Sequence, residues 1–229
     1  MPMYSSAPSS PLLQYILKQN FVEAAISGDL LAIDDALKNY GLDVDQGKGS
    51  GRNPLAAAVC NDQLEAVKQL LRAGADVNTR YKGSTLLYIA FFHGNAELVR
   101  ILVNAGADVT LLDETTGQLS IVDAAVCSGK EELVDFALSL AKLSGMDMAR
   151  MHAEGLISAV SEKNTHLARK FIDLGADPDS AGPNACLGCP PLMFAADRKD
   201  AAMVKLLVEH GAKAALHLSS VQDLLRAGR

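Results

Sequence analysis

An alanine recurs along this chain at Ala24, Ala58, Ala90, Ala125, Ala159 and Ala195, at intervals of 34, 32, 35, 34 and 36 residues. Each stands among small and apolar residues, so one short supersecondary unit is repeated six times. A unit of this length cannot bury its own apolar face, and its neighbours must cover it. The interval therefore predicts an all-α solenoid of about six helix-turn-helix repeats, each with a small-residue helix that the alanine opens. Function is then sought on the surface of a stack.

Composition agrees with helices that approach closely. Of 229 residues 49% are apolar, only 5% are aromatic and none is Trp, which suits a core of Ala, Leu, Val and Ile. Residues 1–10 hold four Ser and two Pro and read as a disordered tail; residues 11–229 are expected to form a single repeat domain. Leu12, Leu13, Ile16 and Leu17 recur at helical spacing, predicting a first helix that covers one end of the stack. Val221, Leu224 and Leu225 predict a short helix closing the other.

A net charge of −6 with scattered Lys and Arg offers no basic surface for phosphates, so neither nucleic acid nor an anionic membrane is expected as a partner. The start of the chain has no basic residue before Lys18 and no apolar run that would read as a secretory signal. Four cysteines at irregular positions do not make a disulfide framework. A cytoplasmic chain, monomeric when alone, is expected.

The third unit reads Gly83-Ser84-Thr85-Leu86-Leu87-Tyr88-Ile89-Ala90, then His93-Gly94, Glu97 to Leu102, and Ala105-Gly106-Ala107-Asp108-Val109. The second carries Asn53-Pro54-Leu55 and ends Gly74-Ala75-Asp76-Val77-Asn78; the fifth ends Gly175-Ala176-Asp177-Pro178, and the sixth has Pro190-Pro191-Leu192 and His210-Gly211-Ala212. From about residue 20 to 215 the chain resembles the ankyrin repeat family, whose unit reads G-x-T-P-L-H-x-A, a glycine turn, a second helix and G-A-D-V-N. The letters also make physical sense. Thr85 and Ser120 can cap helix starts, and Pro191 suits a first turn. Gly74, Gly106, Gly175 and Gly211 follow apolar helices where a left-handed residue is needed.

Two places depart from the pattern. After the fourth unit's second helix, Leu133 to Leu143 stays apolar and Ser144-Gly145-Met146-Asp147 replaces G-A-D-V-N, predicting a lost hairpin finger and longer helices around Met146, Met148 and Met151. The loop from Asp179 to Cys189 is longer than its counterparts.

Motifs that carry chemistry are weak. Gly47-Lys48-Gly49-Ser50-Gly51 lacks the spacing of a phosphate loop and no strand precedes it. His152-Ala153-Glu154 with Cys186 and Cys189 resembles the H-x-E and P-C-x-x-C of zinc deaminases, but Pro183 stands three residues before Cys186. His152, Cys186 and Cys189 are the candidate metal ligands, only three in number, and no metal, cofactor or catalytic residue is expected. Cys60 and Cys127 occupy matching places after the small residues of their helices and read as half-buried thiols.

The resemblance implies a non-catalytic protein-interaction module, an adaptor, scaffold or inhibitor whose partner lies against the concave side of hairpin tips and first helices. Among these positions the candidates are Arg52, Arg80, Tyr81 and Lys82 at tips, and Asn61, Phe92, His93, Cys127, Asp197 and Arg198 on helices. The third unit stands out: four of the chain's eleven Tyr and Phe lie between Tyr81 and Phe92. Tyr88 and Phe91 are expected to fill space between repeats, Tyr81, Phe92 and His93 to face a partner, and Arg80 and Lys82 to meet its carboxylates. A bacterial effector or toxin-immunity protein using the same surface is one alternative. A metal-binding or enzymatic role for the irregular C-terminal half is another.

Overall fold

The computed structural model describes residues 10–47, 53–114, 119–180, 189–213 and 219–227. Among them are thirteen helices and one two-stranded antiparallel sheet. The chain divides into two compact units, residues 1–111 and 112–229.

The first unit contains α1 (Pro11–Ser27), α2 (Leu30–Lys38), α3 (Pro54–Cys60), α4 (Leu64–Arg72), β1 (Arg80–Tyr81), β2 (Ser84–Thr85), α5 (Leu86–Phe92) and α6 (Ala96–Asn104). The second contains α7 (Ile121–Cys127), α8 (Glu131–Leu143), α9 (Met148–Ser161), α10 (Thr165–Asp173), α11 (Pro191–Asp197), α12 (Ala201–Glu209) and α13 (Ser219–Ala227). Odd and even helices pair as first and second members of six repeats, and α13 packs on α11 and α12. Its Val221 is fully buried, as expected of a closing helix.

All six recurrent alanines are buried, from Ala24 at 5% exposure to Ala58, Ala90, Ala125 and Ala159 at 0%. Contrary to expectation, they do not open their helices. Each lies in or next to the last turn of a first helix, and the reason is a shared backbone device. In five of the repeats the alanine carbonyl accepts from the N–H five residues on: Asp29 to Ala24 at 2.9 Å, Gln63 to Ala58 at 2.9 Å, Asn95 to Ala90 at 3.1 Å, Asn164 to Ala159 at 2.9 Å, Asp200 to Ala195 at 3.0 Å; the Ala125 carbonyl accepts from the Ser128 hydroxyl at 2.6 Å. The backbone bond closes a turn whose central residue must be left-handed. Gly28, Gly94 and Gly129 fill the place, but so do Asp62, Lys163 and Lys199, with φ near 54°. The donor then caps the second helix: the side chains of Asp29, Asn95, Asn164 and Asp200 each accept from the amide three residues later.

Beyond α2, α4, α6 and α10 the fingers carry a second repeated device. In Asp43-x-Asp45, Asp76-x-Asn78, Asp108-x-Thr110 and Asp177-x-Asp179 the first carboxylate accepts from the amide two residues on, at 2.9–3.0 Å. The third residue reaches to the next repeat. Asp45 accepts from the Asp76 amide at 3.0 Å, Asn78 from Asp108 at 2.8 Å, and Asp179 from Lys213 at 2.9 Å.

The fourth repeat has no finger, as its sequence predicts. The helix α8 runs for 13 residues, Gly145 turns the chain with φ 71°, and Asp147 caps α9 directly. Thr85, Ser120 and Pro191 take their expected places at helix starts.

The first helix differs from expectation. Phe21, Ala24 and Ala25 form its buried side, whereas Leu12, Leu13 and Ile16, expected to cover the end of the stack, are exposed.

Candidate protein-binding surface

The third repeat builds its surface from a hairpin of two strands and the helix that follows. In it Arg80 pairs with Thr85 and Tyr81 with Ser84, so Lys82 and Gly83 alone make the turn. Both have positive φ, 53° and 93°, the signature of a type I′ turn that matches strand twist. This places the Lys82 amine 5.1 Å from the centroid of the Tyr81 ring, a cation held over an aromatic face. Arg80 serves the finger itself, donating from Nη1 to the Gly83 carbonyl at 2.7 Å.

Thr85 then caps α5 by accepting from the Tyr88 amide at 3.1 Å. Tyr88 and Phe91 are buried, at 7% and 0% exposure, and fill space as expected; Phe92 is 51% exposed. One helical turn separates Phe92 from Tyr88, so their rings stack with centroids 6.5 Å apart and planes 13° from parallel. His93 lies beside Phe92 at 6.3 Å. A half-exposed ring backed by a buried one is held in place before any partner arrives, which lowers the entropy cost of binding.

On the neighbouring α3, Asn61 is exposed and donates to the Ala57 carbonyl at 2.8 Å. Burial raises the Cys60 thiol pKa, with the Lys82 charge opposing it. Asp62 accepts from the Asn95 side chain at 3.0 Å, tying the two turns together. Arg52 lies outside the described residues.

In the second unit Cys127 is half-buried, and burial, aided by Asp123 and Glu162, pushes its thiol up to about 12. Such a thiol is a packing group, without thiolate reactivity. Asp197 and Arg198 are exposed, and the Arg198 guanidinium lies 5.9 Å from the Phe194 ring centroid. Phe194 was not among the sequence candidates. Its spacing of four from Arg198 on one helix was the signal that could have found it.

Of the three metal candidates, Cys186 lies outside the described residues, His152 is half-buried on α9 and Cys189 is a free thiol. Among the described residues no group of three or more His, Cys, Asp or Glu could hold a metal ion. The Glu of the H-x-E triplet has a structural task. Glu154 is 2% exposed, and its Oε1 accepts from the Ser120 amide of the preceding repeat at 2.5 Å. One turn later the Ser158 hydroxyl lies within hydrogen-bond reach of both the buried Asp123 carboxylate and the Glu154 carbonyl, with one proton to share between them.

Burial raises the Glu154 pKa above its ordinary 4.5, with the Ser120 bond opposing and the Asp123 charge adding to the rise. The folded chain therefore holds this proton more tightly than the unfolded one. The resulting stability is present near pH 4.5 and is lost as pH climbs through the raised value. Glu154→Gln, which keeps an oxygen for Ser120 but cannot ionise, is expected to gain on the parent in urea melts at pH 8 and to lose that advantage at pH 4.5. Parallel curves at both pH values would refute the assignment.

None of the described helices is long and apolar enough to cross a membrane. A helix-turn-helix repeat closed by a left-handed residue, with finger-like turns linking most units to the next, defines the class of protein. The family model for ankyrin repeats in three copies matches residues 21–113, and the single ankyrin repeat model matches residues 187–219, together just over half the chain. The chain belongs to the ankyrin repeat family.

Its relatives place it more narrowly only in fold. It is 30% identical over 174 residues to the E3 ubiquitin-protein ligase XBAT33 of Arabidopsis thaliana, covering 75% of this chain and 32% of that protein. The chain spans well under half the length of the curated relatives it matches. The human ASB11 ankyrin repeat domain matches with a TM-score of 0.65 and 27% identity, over 90% of this chain and 96% of that one. A chain from the complex of a Bdellovibrio bacteriovorus predatory endopeptidase with an immunity protein matches with a TM-score of 0.68 over 83% of this chain and 97% of that one; at 20% identity this shows the fold alone.

Proposed function

We propose that this chain is a non-catalytic module that binds another protein, and that the third repeat is the centre of contact. It works by occupancy, holding or blocking a partner whose surface it covers. The observation that carries this reading is Phe92, 51% exposed and stacked on a buried Tyr88 in a chain with few aromatics. Tyr81 with Lys82 over its ring, His93 and Asn61 complete the patch in the first unit. Lys82 favours a partner with a carboxylate near an apolar side chain. Cys127, Asp197 and Arg198, the last laid on Phe194, are the contact candidates of the second unit. The free thiols Cys60, Cys127 and Cys189 suit work in the cytoplasm.

The test begins with capture of a partner from native lysate on the immobilised chain and continues with titration of the purified pair. Phe92→Ala and Tyr81→Ala are each expected to weaken binding by at least about fivefold, roughly 1 kcal/mol, with unchanged melting temperature. Affinity unaltered by both would remove the patch from the interface.

A further inference from the structure

We infer that the groove between α10 and α12 takes the carboxylates of an acidic segment of a partner protein, at a surface separate from the third-repeat patch. The second helices share a register, counted from the residue at the N-cap position of each. In α4 the fifth residue after Gln63 is Lys68, and two carboxylates hold it. Glu65, two after the same cap, lies at 2.7 Å, and Glu97, two after the Asn95 cap of α6, at 3.5 Å. The bridge from Lys68 to Glu97 spans the space between those two helices.

At the same positions α10 and α12 keep the cation and lose both acids. Arg169 is the fifth residue after Asn164, His166 stands where Glu65 does, and Ala202, two after Asp200, stands where Glu97 does. The His166 ring sits toward α8, with Nδ1 3.8 Å from the Glu131 carboxylate. Lys170, beside Arg169, is satisfied by Glu131 at 2.7 Å and Asp135 at 2.6 Å. Arg169 and Lys205, the latter five after the α12 cap, are exposed and make no ion pair among the described residues. With no side chain bridging it, a groove of about 530 Å³ is left between the helices, lined by Arg169, Lys205, Ala202 and Leu206, with Glu209 its one carboxylate.

The missing groups name the occupant. Between α4 and α6 a glutamate of the chain reaches across to the cation, whereas at Arg169 the same carboxylate must come from outside. A guanidinium donates two parallel bonds to a carboxylate, and Ala202 and Leu206 can take the methylenes of a glutamate. Lys205, in the same register one helix on, favours a segment with more than one acid.

Fluorescence anisotropy of a labelled hexaglutamate peptide with the full chain tests this. Saturable binding is expected that weakens as salt rises, because the groove is open to solvent. Arg169→Ala and Lys205→Ala should each weaken it by at least about fivefold. Ala202→Glu is the sharper variant: it gives Arg169 the carboxylate that Glu97 gives Lys68, and should abolish peptide binding with a melting temperature no lower than the parent's. Lys38→Ala, which removes an equal charge from α2, and Phe92→Ala, in the third-repeat patch, should bind like the parent. A parent chain that leaves the peptide free overturns the proposal, as does parent affinity in both cation variants or in Ala202→Glu. So does Lys38→Ala or Phe92→Ala as weak as the groove variants, or inorganic tripolyphosphate held more tightly than the peptide.

Discussion

Replacing Gly155 by alanine is expected to cost about 2 kcal/mol of stability, although a helix interior ordinarily favours that change by about 1 kcal/mol. Gly155 lies in the middle of α9, and a methyl group there would overlap three ring atoms of Phe171 on α10. The ring is fully buried, with 0% exposure, so it cannot swing into solvent. Overpacking a dense core costs on the order of 1–3 kcal/mol and more when the obstacle is rigid, so the steric loss outweighs the propensity gain. The expected signature is coupling. Phe171→Leu should destabilise by itself, yet Gly155→Ala combined with Phe171→Leu should cost less than the sum of the two, read from urea melts of all four chains. An additive cycle would show that the ring is not the obstacle.

The second large effect concerns the alanine register. Ala58→Leu is expected to destabilise by about 2–3 kcal/mol, since the site has no exposed surface and α3 packs there against both α1 and α5. Asn61→Leu, three residues on and exposed, should stay within about 0.5 kcal/mol of the parent. Equal costs at the two positions would mean that side-chain volume at the alanine is not what the repeat protects.

The same alanine shows how far the sequence could be read. Its period, the caps Thr85 and Ser120, and the missing finger at Gly145 were all legible, because each depends on a local rule: helix periodicity, an orphan amide, a left-handed turn. The left-handed turn between paired helices was only half visible. Gly94 declares it, while Lys163 and Lys199 hold the same conformation behind residues that give no such sign.

Other features were out of reach for physical reasons. Gly155 and Phe171 are 16 positions apart, and nothing in either neighbourhood says that one ring fills the other's missing side chain. Glu154 invited a catalytic reading because its neighbours spell a motif, yet its carboxylate serves the Ser120 amide 34 residues away. At the candidate surface, the crowding of aromatics between Tyr81 and Phe92 drew attention to β1, β2 and α5. The register of the repeat separated the buried Tyr88 and Phe91 from the exposed Phe92, but could not show that Arg80 donates to the Gly83 carbonyl of its own hairpin. In α1 the spacing of Leu12 and Ile16 correctly predicted a helix but not which way they face, since Phe21 and the two alanines after it take the inner side.

The finger bonds have a consequence for how such a chain can change. Asp45 and Asn78 each offer an oxygen to the amide of the following repeat, so the second repeat both receives and gives one bond of the same kind. A repeat with that pair of connections can be duplicated or deleted as a block, and the ends left behind will still fit each other. The fourth repeat ends at Gly145 and Asp147 with neither a finger nor an oxygen to offer in its place. Lineages of this chain are therefore expected to vary in repeat number among the fingered units, with the fourth kept as a fixed landmark.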